Sequence, residues 1–255
     1  MTRLRSLLFV AVTLGLTLCQ AEAVLASMYK VTPIQISLST RTASALLTLS
    51  NEGPDTLRFQ LSAFAWNQSR QGAVELSPTE DIVFYPPLLM LKPGEERKIR
   101  VGTKAAIGPN EKTYRIFFEE LPPLEKADES PGGSQVKFLT RMGIPIFVEP
   151  TSPLVKGDVE WIRLERGRLA FEVSNSGSVH FSMQKVRVTG SDASARQTFE
   201  KELASWYVLA GGSREFELEL SEAECGQTKR VRIEVETNHR TFEKSAELPT
   251  GACGP

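Results

Sequence analysis

From Lys30 to Glu247 one pattern recurs: a few residues in which apolar and polar side chains alternate, then a break rich in Pro, Gly, Asn or Asp. Alternation with a period of two places every second side chain on one face, as a strand half-buried in a sheet requires. Leu57–Trp66 shows it, with Leu57, Phe59 and Leu61 on one face. Lys30–Ser37, Ser44–Ser50, Asp81–Tyr85, Leu88–Leu91 and Arg97–Val101 are shorter cases, and Thr113–Leu121 and Val136–Val148 are the longest. The breaks are turn signals: Asn51-Glu52-Gly53-Pro54-Asp55 and Lys92-Pro93-Gly94-Glu95. Pro86-Pro87 must end or edge any ladder, because proline has no N–H to donate. No long amphipathic helix stands out, and Glu200–Trp206 reads equally as a short helix or a strand. Many short strands with frequent turns predict an all-β chain of sandwich type.

Two turn-rich stretches divide the pattern. Pro122–Gln135 holds Pro122, Pro123, Pro131 and Gly132-Gly133 among charges, which is a loop by composition. Glu149–Gly157 is a second break, after which strand patterns restart at Val159–Leu164. We therefore expect two immunoglobulin-like β-sandwich domains, over 27–150 and 157–255. Residues 1–26 read as an export signal: Arg3 and Arg5 precede the apolar run Leu7–Leu18, and small residues follow up to Ala26. That run is too short for a membrane span, so no stable membrane insertion is expected. Beyond the signal two cysteines remain, Cys225 and Cys253. They flank a predicted hairpin, Arg230–Glu236 and Thr241–Glu247, at similar distances. A bridge is favoured over two separate thiols.

The chemistry-bearing residues are sparse. The net charge of −1 argues against a general nucleic-acid binder. The two histidines, His180 and His239, are far apart in sequence and read as structural or solvated. No phosphate loop, dinucleotide fingerprint, nucleophile elbow or zinc spacing occurs, so no cofactor or metal is expected. Glu119 and Glu120 are adjacent on a strand and point to opposite faces, which suits ion pairing better than acid–base catalysis. Phe59, Phe64, Trp66, Phe117 and Phe118 lie within strand patterns and read as core.

Several segments, in order, resemble the PapD-like periplasmic chaperones of chaperone–usher pili. They are Val31-Thr32-Pro33-Ile34, Ser44–Leu49 followed by Asn51-Glu52-Gly53, Tyr85-Pro86-Pro87, Leu91-Lys92-Pro93-Gly94 with Arg100-Val101, Tyr114–Pro122 and Arg141–Val148. The Ile144–Val148 stretch is most similar to the spore-coat-U-type, or archaic, branch. The resemblance implies a non-enzymatic periplasmic protein whose partners are pilus subunits and an outer-membrane usher. It implies a mechanism too: a subunit with an incomplete immunoglobulin-like fold receives its missing strand from the chaperone. Here Val136, Phe138, Thr140 and Met142 share one face by period two and are the expected donor positions. Such an unpaired strand also invites self-association of the free protein.

The resemblance fails at one point. Many relatives hold the subunit's C-terminal carboxylate with an Arg on the first strand and a Lys on the seventh, and those positions are Gln35 and Pro145 here. A carboxylate in a cleft still calls for a cation or donor. Arg115 and Arg141 lie in the two strands expected to be neighbours, and Arg141 shares strand parity with Pro145, so these two are the expected substitute anchors. Ordinary pairing with Glu119 or Glu120 is the competing role for them. Two rival functions remain, a secreted β-sandwich enzyme and an adhesive or structural pilus component. The first lacks a catalytic constellation in the sequence, and the second normally carries a donor extension or an incomplete fold.

Overall fold

A computed structural model of the chain describes residues 27–123, 138–204 and 206–249. The expected export signal, Val136 and Cys253 lie outside these residues. Nearly every described element is a strand, and the strands build two sandwiches, each with its own apolar core.

In the first sandwich, β1 (Tyr29–Thr32), β2 (Ile36–Leu38), β3 (Ser44–Asn51), β4 (Leu57–Gln68) and β5 (Val74–Pro78) are followed by β6 (Ile82–Tyr85), β7 (Leu88–Leu91), β8 (Glu96–Thr103), β9 (Lys112–Glu120) and β10 (Arg141–Val148). One sheet has the order β1-β3-β8-β6; the other runs β2-β10-β9-β4, with β5 and β7 both on β4. Alternation sets the core: Leu47, Leu49, Phe59, Leu91, Ile99, Val101, Ile116, Phe118 and Ile146 are fully buried between the sheets. The first strand pattern, read as Lys30–Ser37, is split. The chain leaves one sheet after Thr32 and joins the other at Ile36, crossing through Pro33, which cannot donate to a ladder.

The second sandwich contains β11 (Gly157–Glu165), β12 (Arg168–Asn175), β13 (Phe181–Ser191), β14 (Gln197–Leu203), β15 (Tyr207–Val208), β16 (Ser213–Glu219), β17 (Arg230–Thr237) and β18 (Thr241–Glu247). Its sheets run β11-β12-β16 and β14-β13-β17-β18, with β15 also on β13. The ambiguous stretch around Glu200 is strand. A single described helix, α1 (Glu222–Gln227), starts at a capping box in which Ser221 and Glu224 bond each other's backbone N–H. It carries Cys225, which is buried and disulfide-bonded. Strands β17 and β18 form the hairpin expected between the two cysteines.

Candidate functional site

The sheet β2-β10-β9-β4 has two faces. Even-numbered side chains of β9 and β10, including Tyr114, Ile116, Phe118, Ile144, Ile146 and Val148, point into the core. Odd-numbered ones point to the opposite face, where register aligns Phe64, Arg115 and Pro145 in one row and Ser62, Phe117 and Gly143 in the next. A Cβ on Gly143 would lie 2.7 Å from the Phe117 ring, so only glycine lets that ring lie across β10.

Strand β10 is paired along its whole length with β9, but on its other side β2 reaches only Ile146–Val148. The Glu120 N–H donates to the Thr140 carbonyl at 2.9 Å, which fixes the alternation: even residues of β10 bond β9 and odd residues turn outward. The Glu149 N–H, donating to the Leu38 carbonyl, obeys the same parity. At Arg141 and Gly143 the N–H and C=O groups therefore face an edge that no described strand covers. Pro145 has no N–H to leave bare there.

The expected donor positions fall in two groups. Val136 lies outside the described residues, and Phe138 is 55% exposed, as is neighbouring Leu139 at 46%. Thr140 and Met142 are half-buried. The Thr140 hydroxyl donates to the Glu120 carboxylate (3.0 Å) and contacts the Tyr29 hydroxyl (2.9 Å), while Met142 packs against the core. Among the described residues the regular strand begins at Arg141, with Phe138–Thr140 leading into it outside the ladder, since Glu120 is the last residue of β9 and Pro122-Pro123 cannot continue a ladder.

The two expected anchors differ. Arg141 lies on the Phe117 ring (4.1 Å) and its Nε is 3.7 Å from the Glu119 carboxylate, both side chains being about half exposed. Its charge is already answered. Arg115 lies deeper, with its Cζ 4.2 Å from the centre of the Trp66 ring and 5.6 Å from that of Trp206. No described carboxylate pairs with it. Its Nε is buried without an acceptor, and so is the Trp66 Nε1 beside it. Burial pulls the Arg115 guanidinium below its ordinary value, and the neighbouring Tyr207 opposes that shift. A guanidinium nonetheless keeps its charge at neutral pH. An unpaired, half-buried cation is costly to maintain and calls for an anionic ligand.

Arg115 sits where the two sandwiches meet. Trp66, Phe147 and Leu209 form a small buried cluster with Tyr207 packed against it. His180 stacks on Phe147 at 3.6 Å, and the Glu111 carboxylate accepts both its backbone N–H (2.9 Å) and a bond to Nδ1 (2.7 Å). Arg70 reaches Glu172 (3.1 Å) and Glu215 (3.4 Å) from the β4–β5 turn, while the Glu215 N–H donates to the Arg70 carbonyl. His180 is thus structural, but as a bridge between sandwiches, which the sequence reading missed. The available signal was parity: Trp66 and Phe147 are large aromatics on the strand face opposite the core residues, so something else had to cover them.

Residues 28–153 match the family described as pili and flagellar-assembly chaperone, PapD N-terminal domain. A search of curated proteins finds no match. Among solved structures, a chain of the Acinetobacter baumannii CsuC–CsuE chaperone–tip adhesion subunit pre-assembly complex superposes with a TM-score of 0.60 at 19% identity. The match covers 87% of this chain and 98% of that one. A chain of the Salmonella enterica SafA pilin–SafB chaperone complex gives 0.58 at 13% identity, covering 88% and 99%. The Pseudomonas aeruginosa CupB2 chaperone gives 0.53 at 15%, covering 86% and 100%. At these identities the likeness is one of fold, extending through both sandwiches.

Proposed function

Because the chain belongs to the family of PapD-like pilus-assembly chaperones, we propose that it captures pilus subunits in the periplasm by lending them a strand and passes them to an outer-membrane usher. The observation that carries this reading is the bare edge of β10 at Arg141 and Gly143, continuous with the exposed Phe138 and ending at the unpaired Arg115. Main-chain groups on that edge pair with the subunit's open sheet. Apolar side chains at Val136 and Phe138 enter its groove, and Met142, already committed to the chaperone's core, joins the two cores. Arg115 takes the subunit's C-terminal carboxylate and so fixes register, the task that Gln35 and Pro145 leave without a cation. Residues 27–150 form the capturing domain and 157–255 the second domain, closed by a Cys225–Cys253 bridge. The protein acts by binding, without a cofactor or a catalytic step.

The test is co-expression with the subunits encoded beside an usher, followed by purification from the periplasm. We expect a one-to-one complex and loss of the subunit when this protein is omitted. Subunits that accumulate equally well alone, with no complex recovered, would overturn the reading.

A further inference from the structure

The alternation of β11 closes only if Trp161 is left out of it. Val159, Ile162 and Leu164 point into the core, while Glu160 and Arg163 point away. Glu160 pairs with Glu172 and Arg163 with Ala170, so Trp161 and Ile162 together oppose the single residue Phe171. That is a β-bulge, and Trp161 is its extra residue. Its φ is 54°, in the left-handed region that a bulky side chain enters at a steric cost. The other non-glycine residues of positive φ, Arg166 and Ala195, lie in the β11–β12 and β13–β14 turns, where the chain reverses. No reversal occurs at Trp161. Its indole is 74% exposed and has no hydrogen bond or ring contact among the described residues.

The ring stands beside a hollow of about 270 Å³ on the outer face of the β11-β12-β16 sheet. Register sets its walls: Glu160, Glu172 and Glu215 form one row, and Arg163, Ala170 and Glu217 the next. The small side chain of Ala170 opens the floor between Arg163 and Glu217. Arg70 reaches in from the first sandwich and pairs with Glu172 and Glu215, and Arg168 answers Glu217. Arg163 is exposed and has no ion pair among the described residues. The charges lining the hollow therefore nearly cancel, and neither a small anion nor a small cation is selected. A protein contact centred on an aromatic needs apolar neighbours that exclude water. Here the neighbours are Glu160, Arg163 and Ala170. What fits is a neutral ligand with many hydroxyls and an apolar C–H face. Its hydroxyls can donate to the carboxylates and accept from the guanidinium groups, while the C–H face lies on the indole. A pyranose sugar has both.

We propose that this hollow binds a sugar unit of an oligosaccharide, with Trp161 as the platform, Arg163 as the donor, and the Glu215 and Glu217 carboxylates as acceptors. The bulge is the device that lifts the ring off the sheet, and the left-handed backbone serves the ligand rather than the fold. The hollow lies just below the ~300 Å³ at which small-molecule pockets begin, so it holds one sugar ring and leaves the rest of the glycan in solvent. The site is separate from the open edge of β10 and does not rest on strand lending.

The test titrates the full-length protein, with its tryptophan indoles isotopically labelled, with cellotriose, maltotriose and chitotriose up to about 10 mM. The Trp161 indole N–H resonance reports contact, and calorimetry gives the affinity. At least one trisaccharide should shift that resonance, with a Kd of about 1 mM or below. Trp161→Gly should weaken binding at least tenfold. Its thermal midpoint should equal or exceed that of wild type, because glycine takes this φ freely. Arg163→Ala should weaken binding about fivefold with an unchanged midpoint. No shift with any of the trisaccharides would overturn the proposal. So would binding left unchanged by Trp161→Gly or, should that variant unfold, by Arg163→Ala. Loss of pilus-subunit capture in Trp161→Gly, without any trisaccharide response in wild type, would assign the ring to a protein contact and overturn the proposal as well.

Discussion

The two ends of the β9–β10 ribbon are built from the same alternation yet offer opposite surfaces. At the inner end, Arg115 lies against Pro145, Trp66 and the second sandwich, half-buried, with no described counter-charge. At the outer end, Arg141 faces Glu119 and the exposed Phe138 follows, so the charges cancel and apolar surface and open backbone remain. The difference teaches a division of labour. Backbone pairing and apolar contact tolerate many sequences and supply most of the contact, whereas a single buried cation can be satisfied in only one register. On the function proposed above, an edge open at one end with a cation at the other lets strand pairing be checked by charge.

Replacement should separate the ends. Arg115→Ala is expected to have the largest effect, lowering subunit affinity about thirtyfold or more, since removing one partner of a desolvated charge pair costs roughly 2–5 kcal/mol. It should lower the unfolding midpoint of the free protein only slightly, since what is lost there is packing on the Trp66 ring and not an ion pair. Phe138→Asp comes next. It trades about 2 kcal/mol of apolar burial for a charge in the groove, so captured subunit should fall at least tenfold in a pull-down, with unchanged folding. Glu111→Ala strips the acceptor from the backbone and ring N–H of buried His180. It should cost about 2 kcal/mol in urea unfolding and weaken capture indirectly, through the junction. Arg141→Ala should be the smallest, within about 0.5 kcal/mol in both assays, because a half-exposed pair at 3.7 Å contributes little. If Arg141→Ala proved as damaging as Arg115→Ala, the contrast between the ends would be wrong.

Much of this was legible in the chain itself. Strand positions followed from alternation, since a sheet with one buried face forces period two: Leu57, Phe59 and Leu61 are core, and the expected Thr113–Leu121 strand is β9 within one residue at each end. Where Phe138–Thr140, expected as strand, fall outside it, the missing factor is a partner, because Pro122-Pro123 deprives β9 of further N–H groups. Arg115 and Arg141 stand out as cations on two strands expected to be neighbours, Arg141 also by parity with Pro145, but their different fates are not readable. Trp66 of the first sandwich together with Trp206 and Tyr207 of the second covers Arg115, while Arg141 meets solvent and Glu119. Glu111 and His180, separated by 69 residues, carried no local sign of contact. The junction was the illegible part because its geometry is fixed by neither domain's own alternation.

The central claim is that the outer edge of β10 completes another protein's sheet, and amide hydrogen exchange at Arg141 and Gly143 tests it most directly. In the free protein these two N–H groups should exchange fast while Met142 and Ile144, bonded to β9, are protected. In the subunit complex all four should be slow. Unchanged fast exchange at Arg141 and Gly143 in a stable complex, with new protection elsewhere, would contradict the account.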